Sequence, residues 1–152
     1  MKIQQLSVFL ENRPGQMAAV FELLGKAQIN IITMSTADTE QFGILRIITR
    51  EWEKAKTVLE AGQFVVNITP VVAIQVPHQP GGLSEILSLF QNENLNIEYM
   101  YAFPCAHTTE AVLIARFENP DKAIEVVSAS GKFKALTEMD VFKEKKSCEF
   151  PS

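Results

Sequence analysis

The feature that most constrains this chain is an internal repeat with a spacing of 66 residues. Pro14 matches Pro80, Gly15 matches Gly81, Leu23 matches Leu89, Asn30 matches Asn96 and Met34 matches Met100. After a slightly longer turn in the second copy the spacing becomes 68, and Ala55 matches Ala123. One unit of roughly 70 residues buries too little surface to be more than marginal alone, so the two copies are expected to pack on each other. The boundaries read as 1–69 for the first domain, 70–142 for the second and 143–152 for a polar tail.

Each copy carries the same order of elements. Ile3 to Leu10 is an apolar strand. Met17, Val20, Phe21, Leu24 and Ala27 then fall on one face of a helix. Ile31–Thr36 and Phe42–Thr49 read as strands, Glu51–Ala61 as a helix stopped by Gly62, and Phe64–Ile68 as a fourth strand. The second copy repeats this with a strand over Val71–Val76 and a helix carrying Leu83, Ile86, Leu87 and Phe90. Strands over Leu95–Phe103 and Ala111–Phe117 follow. A helix capped by Asn119 with Pro120 at its first position comes next, and a last strand lies within Phe133–Val141. Strand-helix-strand-strand-helix-strand is the order of a ferredoxin-like unit, an antiparallel sheet with its helices on one face. The fold class is therefore α+β, with two such units packed through adjoining sheet edges or sheet faces.

Composition narrows the partners. Residues 1–69 hold seven basic and seven acidic side chains, and residues 70–152 hold seven and eleven. Neither half has the basic face that nucleic acid needs. No apolar run approaches the roughly 20 residues of a membrane span, and Met1–Gln5 lacks a signal-peptide hydrophobic region. Cys105 and Cys148 lack metal-ligand spacing and read as free thiols of a reducing compartment, so the cytoplasm is the expected location.

Chemistry concentrates where the first strand of each copy meets its helix. Leu10-Glu11-Asn12-Arg13-Pro14-Gly15-Gln16-Met17 recurs as Val76-Pro77-His78-Gln79-Pro80-Gly81-Gly82-Leu83. The proline fixes the backbone, the glycine admits close approach, and the first helical N–H groups have no internal acceptor, which suits a small anion. An ordinary turn and helix start is the alternative for one copy alone; duplication favours a site. No nucleophile–base pair can be placed, and no Gly-Lys-Ser or Gly-Lys-Thr follows the glycines, so neither a catalytic centre nor a mononucleotide loop is expected.

The stretch Leu6–Met17 followed by Gln28-Ile29-Asn30-Ile31 resembles the opening of an ACT domain, and the resemblance covers both repeats. It implies a small-molecule sensor, usually of amino acids, that pairs side by side with another ACT domain. The ligand then lies between the strand–helix loop of one domain and the second strand of its neighbour. The serine-sensing domain of phosphoglycerate dehydrogenase is especially similar: its loop Asn falls on Asn12 and its strand-opening Asn on Asn30. Its loop His falls on Leu10, a departure that puts serine in question. Carried over residue by residue, one site joins Asn12, Arg13, Pro14, Gly15, Gln16 and Met17 to Asn96 and Ile97. The other joins His78, Gln79, Pro80, Gly81, Gly82 and Leu83 to Asn30 and Ile31.

A neutral amide accepts from an ammonium and donates to a carboxylate, as an amino-acid ligand requires. Turn chemistry and a strand-start cap remain the alternative for Asn12 and Asn30, and solvated loop residues for Arg13, His78 and His107. Tyr99, Tyr101 and Phe103 form a stripe that serves core, interface or pocket. The expectation is a non-catalytic amino-acid sensor without metal or cofactor, able to act on a metabolic enzyme and to form a homodimer. A regulatory subunit resembling the small subunit of acetolactate synthase is the alternative, opposed by the second Pro-Gly.

Overall fold

Alternation along the strands decides which side of each sheet is covered. On β1 (Lys2–Glu11), Leu6, Val8 and Leu10 are buried and pair with Ile47, Leu45 and Gly43 of β3 (Phe42–Ile48). Val20 and Leu24 of α1 (Gln16–Lys26) and Ala55 and Leu59 of α2 (Trp52–Ala61) close over them, giving the core of one unit. The other unit repeats the scheme. Val72, Ile74 and Val76 of β4 (Val65–Pro77) and Leu113, Ala115 and Phe117 of β6 (Glu110–Phe117) face Ile86 and Phe90 of α3 (Gly82–Asn92) and Val127 of α4 (Pro120–Ala129). Phe90 meets Phe117 edge to face with ring centroids 4.9 Å apart. The remaining elements are β2 (Thr33–Asp38), β5 (Ile97–Pro104), β7 (Lys134–Leu136) and α5 (Glu138–Lys143). This computed structural model describes residues 1–38, 41–105 and 109–143.

The chain divides into two compact units, Gln4–Thr69, and Pro70 onward together with Met1–Ile3. In the first, the strands run in the order β4-β1-β3-β2, with β4 contributing Val65–Thr69. In the second the order is β7-β4-β6-β5, with antiparallel pairing throughout. Both are ferredoxin-like, and in both the second strand of the repeat, β2 or β5, is outermost.

Several boundaries differ from those read in the sequence. Phe64–Ile68 and Val71–Val76 are not two strands but parts of the single 13-residue β4. Pro70 lacks an N–H yet stays within the strand, and its carbonyl accepts from Arg116 at 2.9 Å. Asn96 lies before β5 rather than inside it, because that strand begins at Ile97, and β2 begins at Thr33 rather than Ile31. Gly62 does not supply the left-handed turn after α2; its φ is −79°, and Gln63 supplies it with φ 69°. A Cβ at Gly62 would displace the end of the Leu23 side chain. The last strand is only three residues long. Glu138–Lys143 is helical, because Thr137 and Asp140 cap each other through N–H bonds of 2.9 and 3.2 Å.

Two details recur in both units without an obvious signal in the sequence. Lys54 Nζ donates to the Ala27 carbonyl at 2.8 Å, and Lys122 Nζ to the Glu93 carbonyl at 3.1 Å. Each lysine sits in the first turn of the second helix and satisfies a carbonyl at the end of the first. Gln28 and Asn94 adopt left-handed φ values of 58° and 52° just beyond those ends. Tyr99, Tyr101 and Phe103 lie on the face away from the helices, half-buried and paired with Arg116, Ile114 and Val112. His107, Cys148 and the centres of both predicted hairpin turns fall outside the described residues.

Candidate functional site

The first loop is shaped by local backbone demands. Arg13 N–H donates to the Glu11 carbonyl at 2.9 Å and Asn12 N–H to the Gln41 carbonyl at 3.0 Å, which turns the chain off the end of β1. Gly15 then takes φ 88°, a conformation that costs an L side chain about 1–2 kcal/mol. The helix begins there, with Ala19 N–H donating to the Gly15 carbonyl at 3.0 Å. Among the described residues no side chain caps α1, and its first turn holds no acidic residue. The positive end of its dipole is left uncompensated.

A cavity of about 240 Å³ opens beside this loop. Asn12, Arg13, Gln16 and Met17 form one side, and Thr36, Ala37, Gly43 and Ile44 form the other. Leu10 and Leu45, both buried, close the floor. Arg13 Nε is paired with the Glu11 carboxylate at the rim, both side chains being about 60% exposed. Arg13 therefore faces the cavity with its charge already engaged. The β2 and β3 residues were missed by sequence reasoning. Gly43 was the available signal, since a glycine inside a strand marks a bulge or a close approach.

The second loop has the same outline and a different interior. Gly81 takes φ 87°, and Glu85 N–H donates to the Gly81 carbonyl at 3.1 Å. Gly82 N–H, expected to be open for a carboxylate, instead donates to the Gln79 carbonyl at 3.0 Å, as Gln16 N–H, expected to be open too, does to the Arg13 carbonyl at 3.4 Å in the first loop. Gly82 is also pressed against the Pro77 carbonyl, where a Cβ would collide. Glu85 stands in the first turn of α3 and pairs with Lys132 at 2.8 Å. His78 is exposed, and its N–H donates to the Thr109 carbonyl at 2.7 Å.

Asn12 and Asn30 lie at opposite ends of their own sheet. Leu10 aligns through Gly43 with Asp38 at one end, and Gln5 through Ile48 with Thr33 at the other, about 17 Å away at the usual rise per residue. The Asn30 carbonyl accepts from Thr49 Oγ1 at 2.7 Å. In the second unit Asn96 and Ile97 line an open groove of about 950 Å³ with Asn94, Asn119 and Lys122, near the start of β5 and not near its loop. Among the described residues no cluster of three or more His, Cys, Asp or Glu could hold a metal ion. No helix there is long and apolar enough to cross a membrane.

Two ferredoxin-like units, each with a Pro-Gly loop feeding an uncapped helix, define a paired regulatory fold. The family model described as an ACT domain pair matches residues 1–145, and the chain belongs to that family. The crystal structure of protein BT0572 from Bacteroides thetaiotaomicron is similar over 94% of this chain and 97% of that one, with 40% identity and a TM-score of 0.86. The ligand-free regulatory subunit of aspartate kinase from Thermus thermophilus is similar over 83% and 90%, with 15% identity and a TM-score of 0.59. Its counterpart from Thermus flavus gives 84%, 92%, 15% and 0.58. These last two share the fold. No curated protein sequence matches the chain.

Proposed function

We propose that the chain is a non-catalytic, cytoplasmic regulatory protein that binds a free amino acid. The observation that carries this reading is the first loop. An uncapped helix start, the Asn12 amide and a cavity the size of one small metabolite meet at one place. The amides of Met17 and Ala18 sit in the first turn, beyond the reach of intrahelical acceptors, and suit a carboxylate. The 17 Å between the two ends of the sheet supports the composite arrangement that the resemblance implies. A site using both kinds of asparagine needs the second strand of a neighbouring ACT unit. In that arrangement Asn12 works with Asn96, and His78 with Asn30. β2 and β5, outermost in their own sheets, offer the open edges for such pairing.

Ligand binding then acts by linkage. A ligand that binds one arrangement stabilises it by RT ln(1 + [L]/Kd), about 2.7 kcal/mol at a hundredfold excess over Kd. The structural neighbours described as regulatory subunits favour an action on a separate catalytic chain, which makes co-purification with an enzyme of amino-acid metabolism the expected setting. Thermal-shift titration against the twenty amino acids tests the reading, and no shift with any of them would overturn it. Asn12→Ala and Asn96→Ala should each abolish the shift. Mixing the two variant proteins shows who supplies the neighbour. Recovery of part of the signal places the second strand on a second copy, and no recovery places it on the same chain.

A further inference from the structure

Residues two apart on a strand share a face, yet Ile97 and Tyr99 of β5 do not. Ile97 stands across from Phe117 and packs against the helix-covered core, whereas Tyr99 stands across from Arg116 on the opposite face. The register shifts between them, so Glu98 is the extra residue of a bulge. A one-residue offset exchanges the faces of everything before it. The bulge therefore decides how Asn96 and Ile97, which line the groove at the start of β5, are presented.

One guanidinium holds this place. Arg116 Nε meets the Glu98 carboxylate at 3.4 Å, and Arg116 Nη1 donates to the Pro70 carbonyl at 2.9 Å. A single side chain of β6 thus joins the bulge of β5 to the start of the second unit on β4. The Arg116 side chain is only 23% exposed, and the planar fork of an arginine suits two partners at once.

The first repeat makes the same offset with hydrocarbon. Ile31 packs against the helix-covered core, while Thr33 stands across from Ile48 on the other face. The residues that match Glu98 and Arg116 at spacings of 66 and 68 are Ile32 and Ile48. A half-buried ion pair adds little or no stability over an apolar pair of similar volume, and its best-attested use is to fix register. The fold alone does not call for charges here.

We propose that Glu98 and Arg116 are positioning residues for the second-strand half of the amino-acid site, pinning the bulge and with it the aim of Asn96. The inference rests on the amino-acid-binding reading above. Thermal-shift titration of the full chain is the test, with an equimolar mixture of the twenty amino acids as the probe. The double variant Glu98→Ile/Arg116→Ile carries the residue types of the first repeat. It should keep the unliganded melting temperature and need at least about tenfold more of the mixture for half of the ligand-induced shift. Glu98→Ala alone, at a side chain 43% exposed, keeps the test open if the double variant does not fold. It should raise the half-shift concentration at least about fivefold.

In either folded variant, an unchanged half-shift concentration would overturn the positioning role and leave the amino-acid reading standing. So would a lowered unliganded melting temperature with no separate loss of response. No shift of the unaltered protein with the mixture would overturn the amino-acid reading itself, and this inference with it.

Discussion

The two strand–helix loops share a sequence pattern and a backbone, and they differ in what they enclose. Gly15 and Gly81 have φ values within a degree of each other, and both helices start at the next residue. Yet position 16 is a glutamine at a cavity wall, whereas its counterpart Gly82 is wedged against the Pro77 carbonyl. The positive end of α1 meets no acidic side chain in its first turn, while that of α3 has Glu85 nearby, itself paired with Lys132. Gly43 of the first unit is matched by Ala111, which is buried in the core of the second. A repeated motif therefore identifies a scaffold, and the residues around it decide whether a ligand has room and an unmet charge to neutralise.

The sharpest way to probe the pair of units is through their cores. Phe90→Ala removes one ring of the Phe90–Phe117 contact and should cost about 3–5 kcal/mol. Its counterpart Leu24→Ala should cost about 2–5 kcal/mol. Urea denaturation measures both, and a smaller loss for Phe90→Ala than for Leu24→Ala would break the picture of a ring-stabilised second unit. Gly82→Ala should destabilise by about 1–3 kcal/mol, because its methyl must displace backbone. Gln16→Ala at the same place in the first repeat should stay within about 0.5 kcal/mol. Equal effects would erase the distinction between the loops.

A lesser effect tests what the units share. Lys54→Met and Lys122→Met each remove a donor from a helix C-terminus and should each cost about 0.5–1 kcal/mol by thermal melts. Smallest of all is the exposed Glu22–Lys26 pair on α1. Hydrogen bonding to Lys26, then its charge, holds the Glu22 carboxyl below the ordinary glutamate range. A lowered folded-state value means a stabilisation that is present at neutral pH and lost as the pH falls through the carboxylate range. An NMR titration should show Glu22 returning toward its ordinary value in Lys26→Met.

The order of elements was legible because apolar spacing switches cleanly between two and 3.6 residues, as in Leu6–Val8–Leu10 against Val20–Leu24. Asn119 and Pro120 announced α4, and the Asn119 side chain does accept from Lys122 N–H at 3.1 Å. The strands read over Phe64–Ile68 and Val71–Val76 are continuous through Pro70. It lies within β4 because a strand tolerates a missing donor where the ladder does not need it. The pair Thr137 and Asp140 spelled a capping box that went unread, at the cost of α5. For the site, the loop was visible as a repeat. Its far wall was not, because Thr36, Ala37 and Ile44 meet the loop only through strand register, which no local pattern records.

β4 has one more consequence, for hydrogen exchange. Its amides up to Thr69 belong to one unit, those from Val71 onward to the other, and Pro70 between them has no amide at all. The strand is thus a ruler with a blank at its dividing mark. An opening confined to one unit should deprotect the amides on one side of Pro70 and spare those on the other. Peptides from this single segment therefore suffice to show which of the two units a ligand steadies.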